Sequence, residues 1–85
     1  MYMAKIVGTV VATRKEESLV GYKLMVLKRM DADKNLVGHD EVAADYVGAG
    51  IGDYVLVCRG SAVRINTPKV TIDMAIVGII DTIDV

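Results

Sequence analysis

The chain has 85 residues, 53% of them hydrophobic, and a formal net charge of −1 from ten basic and eleven acidic side chains. That length allows one domain, residues 1–85, whose core is too small to shelter so much apolar matter. The balanced charge excludes an electrostatic footing on nucleic acid or on an anionic membrane.

Lys5 to Thr13 alternates with β-branched content and predicts a first strand, with Ile6, Gly8, Val10 and Ala12 on one side and Val7, Thr9 and Val11 on the other. Arg14 to Ser18 is a charged connector. Tyr22 to Met30 predicts a second strand, Tyr22, Leu24 and Val26 against Met25 and Leu27. Asp31-Ala32-Asp33-Lys34-Asn35 is turn chemistry, because Asp and Asn satisfy nearby backbone in tight bends. Glu41 to Val47 is the third predicted strand. In Val47-Gly48-Ala49-Gly50-Ile51-Gly52-Asp53, three glycines permit a tight corner. Tyr54 to Arg59 follows as a fourth strand. Gly60 to Arg64 would open at most one short helix capped by Ser61, and Asn66 to Lys69 is a loop. Ile72 to Ile83, interrupted by Gly78, is the last strand. Five short strands predict an all-β fold, a small closed or nearly closed barrel, which also removes sticky edges.

The apolar surplus is aliphatic, since Phe and Trp are absent. Large exposed apolar patches are rare on soluble monomers, so a homo-oligomer is expected. The single cysteine, Cys58, rules out an internal disulfide framework and fits a reducing compartment. Met1 to Lys5 lacks the shape of a signal peptide. The longest apolar run, Met74 to Ile80, is far short of the about 20 residues of a bilayer span. A cytoplasmic protein is expected.

Each chemical motif is weaker than its plain alternative. Gly48 and Gly50 begin a dinucleotide fingerprint, but Asp53 stands at the third glycine and a strand follows where a helix is required. Asp31-x-Asp33-x-Asn35 imitates a calcium loop, yet Leu36 and Val42 replace its obligatory Gly and Glu. His39 and Cys58 would make a nucleophile–base pair only if folding joined them, and alone they cannot complete a zinc site. Four tyrosines and scattered bases make a poor single-strand platform. No catalytic residue, metal ligand or cofactor is expected. A binding module for nucleic acid or a small ligand is the alternative to a structural role.

Five blocks in order resemble the EutN/CcmL family of bacterial microcompartment vertex proteins. They are Gly8 to Lys15, Ser18 to Leu24, Val47 to Val57, Gly60 to Arg64, and Asp73 to Asp81. The family often has Gly-Ser-Ser-Ala-Arg where this chain has Gly60-Ser61-Ala62-Val63-Arg64, and a proline where this chain has Thr71. The resemblance implies an oligonucleotide-binding-like barrel assembling as a homopentamer. It implies a place at the five-fold corners of a shell whose facets are hexameric tiles, and no enzymatic role. A five-fold ring uses a head-to-tail interface, so each subunit needs two unlike sticky surfaces. Within that reading, Gly48, Gly50, Gly52, Gly60 and Ser61 are candidates for a contact seam or pore. Arg14, Lys15 and Arg64 are candidates for polar contacts between subunits or to neighbouring tiles.

Overall fold

The computed structural model describes residues 1–13, 17–60 and 73–84, with Ser18 by its backbone alone. Five strands carry the fold: β1 (Tyr2–Val10), β2 (Leu24–Met30), β3 (Leu36–Asp45), β4 (Tyr54–Arg59) and β5 (Met74–Ile79). They close into a barrel in the order β1-β2-β3-β5-β4. All neighbours run antiparallel except β3 and β5, which run parallel through Ala44–Ala75 and Asp45–Ile76. This is the all-β, five-stranded, oligonucleotide-binding-like barrel that was expected.

Closure rests on three irregularities. β1 carries one extra residue, Val7, against β2, and β5 carries Val77 against β4. Between Leu27 and Arg29 of β2, β3 spends two additional residues, and Gly38 at φ 81° takes the bend. Each bulge bends its strand and raises the local twist, which curls a sheet until its edges meet.

Inward residues from all five strands make the core: Ala4 and Ile6, Met25 and Leu27, Ala43, Val55 and Val57, and Ile76. Ala49, from the glycine segment, plugs it at one end. A second, smaller cluster lies outside the barrel, where Ala44 and Ala75 are covered by Leu19, Leu24, Tyr46 and Cys58. Tyr22 joins it with its ring 5.3 Å from that of Tyr46.

Several boundaries differ from the sequence reading. β1 begins and ends three residues early, because its ladder with β2 stops at Val10–Leu24. β3 starts at Leu36 rather than Glu41, so His39 belongs to a strand, not a loop. The connector before β2 contains a turn of 3-10 helix, Glu17–Leu19. The short helix proposed over residues 60–64 lies, beyond Gly60, outside the described residues. Asp31 behaves as expected: its Oδ1 accepts the backbone N–H of Asp33 at 2.9 Å and of Asn35 at 3.0 Å. Those hydrogen bonds, the Asn35 one foremost, hold its carboxyl below the usual range.

Candidate functional site

The segment joining β3 to β4 is fastened at both ends by carboxylates. Asp45 Oδ1 accepts the N–H groups of Val47 and Gly48 at 3.0 and 3.1 Å. Asp53 Oδ2 accepts Gly50 N–H at 2.8 Å. The turn is laced to β1 by Gly52 N–H to Ile6 O at 2.8 Å and Ile6 N–H to Asp53 O at 3.0 Å. Gly48 and Gly52 have φ of 78° and 93°, a conformation that disfavours any side chain. Gly50 does not; a Cβ there would meet only Asp53 Oδ2, at 3.9 Å. Its glycine therefore has no explanation inside the single chain.

Ala49 points into the core while Ile51 is 66% exposed. This corner, the end of β1 and the start of β2 enclose an open groove of about 440 Å³. Val10, Val11, Leu24 and Ile51 supply its apolar lining, and Lys23 its charge. Val11 is 92% exposed. A second groove, of about 410 Å³, lies over the outer side of β1, β4 and β5. Met3, Leu56, Ile79, Ile80 and Ile83 line it beside Asp81. Among the described residues, eleven large hydrophobic side chains are exposed. Such a surface is suited to contact with another protein.

Several polar side chains are engaged with one another. Arg29 Nε donates to Glu41 Oε1 at 2.8 Å, and the guanidinium lies 3.9 Å from the Tyr2 ring centroid. The Arg29 hydrogen bond holds the Glu41 carboxyl below the carboxylate range. Burial, then the Glu41 charge, raises the Tyr2 hydroxyl. Tyr54 lies under Lys34 and Lys5, at 4.9 and 5.7 Å. With Tyr22 packed on Tyr46, each of the four rings has a cation or another ring against it. Cys58 pairs with Ala75, which pairs with Ala44, five residues along β3 from His39. At about 3.3 Å per strand residue, that separates the two by roughly 15 Å or more. The fold does not bring them together. Among the described residues no group of three or more His, Cys, Asp or Glu is placed to hold a metal ion. No helix there is long and apolar enough to cross a membrane.

Of the candidate residues, Gly48, Gly50 and Gly52 share the β3–β4 turn, and Gly60 (φ 72°) ends β4 at the strand's far end. Arg14, Lys15, Ser61 and Arg64 lie outside the described residues. Sequence reasoning missed the two carboxylates that set the turn. The Asp-Tyr-Val-Gly spacing at Asp45 is the signal that reveals the first. The grooves had no local signal, since each gathers distant segments.

The profile of the family described as ethanolamine utilisation protein EutN/carboxysome matches residues 1–81. The chain is 45% identical to the bacterial microcompartment shell vertex protein PduN of Salmonella typhimurium, over 98% of each chain. It is 49% identical to the carboxysome shell vertex protein CcmL of Nostoc, covering all of this chain and 87% of that one. The GrpN pentameric microcompartment shell protein from Rhodospirillum rubrum superposes with a TM-score of 0.93 at 45% identity, across 100% of this chain and 99% of that one. With such likeness along its whole length, and with the same closed barrel, the chain belongs to the EutN/CcmL family.

Proposed function

We infer that this chain is a shell vertex protein of a bacterial microcompartment, one fifth of a homopentameric ring. The observation that carries the reading is the full-length likeness to the pentameric GrpN protein. The surface agrees with it: the eleven exposed large hydrophobics among the described residues call for company, and a ring supplies it. The role is geometric. Facets of six-fold tiles stay flat, and five-fold units add the curvature that closes a container in the bacterial cytoplasm. Hexameric shell proteins are the neighbours such a ring would meet.

The β3–β4 turn belongs to the seam between subunits in this reading. Gly50 leaves room there that its own chain does not use, and Ile51 stands exposed beside it. Arg14, Lys15, Ser61 and Arg64 remain candidates for polar contacts around the same ring. Native mass spectrometry tests the assembly. Five chains of 9.2 kDa give a species of about 46 kDa. A stable monomer at micromolar concentration would rule the reading out.

A further inference from the structure

A head-to-tail ring needs two unlike patches on each subunit, one to offer and one to receive. Resting on the vertex reading, we propose that the two apolar grooves are those patches. The groove beside the β3–β4 turn receives residues 79–83 of the next copy, and Lys23 faces Asp81 across the seam.

Three observations support this pairing. First, the grooves share no residue and are built from different parts of the barrel, so one subunit uses both at once. Second, each groove carries exposed aliphatic bulk: Val11 at 92% and Ile51 at 66% in one, Ile79 at 45% in the other. Third, their charges are complementary. Lys23 is the charged residue lining the first and Asp81 that of the second, and both are exposed. Within the described residues the ion pairs are Lys28–Asp40 and Arg29–Glu41, so neither Lys23 nor Asp81 forms an ion pair with another described residue. Apolar area supplies the attraction, while the opposed charges set the register and disfavour like-to-like docking of either groove.

Charge exchange tests the pairing. Lys23→Asp and Asp81→Lys are each expected to raise the concentration at which the ring half-dissociates by about tenfold or more. The double variant is expected to return it to within about threefold of wild type. Both residues are exposed, so circular dichroism is expected to show an unchanged barrel in every case. A second measurement does not depend on these charges. Chains carrying Val11→Cys and chains carrying Ile83→Cys, both with Cys58→Ala, are mixed and oxidised. A disulfide-linked pair containing one chain of each kind is the expected product. Intact wild-type rings with indifferent charge variants and no mixed disulfide would overturn the pairing and leave the vertex reading standing. A wild-type protein that forms no ring would overturn the vertex reading itself.

Discussion

Glu41 shows how one side chain ties three strands. It stands on β3, accepts a hydrogen bond from Arg29 on β2, and lies beside Tyr2 on β1. Its side chain is only 15% exposed, so the Arg29 bond is weakly screened on that side. Because folding lowers its pKa, the stabilisation is fully present above the unfolded value of about 4.3 and disappears as pH falls through the lower folded value. Glu41→Gln is therefore expected to reduce stability more at pH 7 than at pH 3. Urea midpoints at the two pH values check this. An equal loss at both would mean that packing, rather than charge, is what Glu41 contributes.

The β3–β4 turn is the element where glycine has two separate jobs. Gly52 holds a backbone conformation that a Cβ resists, although nothing lies within 4 Å of it. Gly52→Ala is expected to lower unfolding free energy by about 1–2 kcal/mol. Gly50 lies outside the left-handed region and an added Cβ would make only an ordinary contact with Asp53 Oδ2, so Gly50→Ala is expected to stay within about 0.5 kcal/mol. Gly50→Leu is expected to keep the barrel and weaken the ring, read by denaturant titration and native mass together. A fully stable ring in Gly50→Leu would remove the turn from the seam. How readable an element was depended on its flanks. β4 was legible to the residue, since Gly52-Asp53 and Gly60 bound a clean alternation. β3 lost its first five residues because Gly38, His39 and Asp40 interrupt the apolar rhythm, and there a bulge replaces regular pairing. The glycine corner was legible, but the second groove was not. Its lining comes together only when closure sets β4 between β1 and β5, an outcome of topology that no local pattern announces.

At the scale of the molecule, the apolar surplus seen in the composition has a definite location. Twelve apolar residues are buried among those described, and five of them are alanine: Ala4, Ala43, Ala44, Ala49 and Ala75. The interior is thus narrow, and much of the bulk that would stabilise a larger core stands on the surface instead. A chain of this size unfolds with a total stability of only about 4–13 kcal/mol. Contacts between copies then form a large share of what keeps it folded. Since assembly binds the folded state alone, mass action raises stability with concentration. For five chains leaving one ring, each tenfold rise in concentration adds about 1.1 kcal/mol per chain, four fifths of the free energy of a tenfold factor. In a domain of this length that corresponds to a Tm increase of about 4–8 °C. Differential scanning calorimetry over a hundredfold concentration range is expected to show two such steps. A Tm constant over that range would mean that the barrel stands on its own core, and that the exposed aliphatic side chains serve contacts too weak to hold a ring.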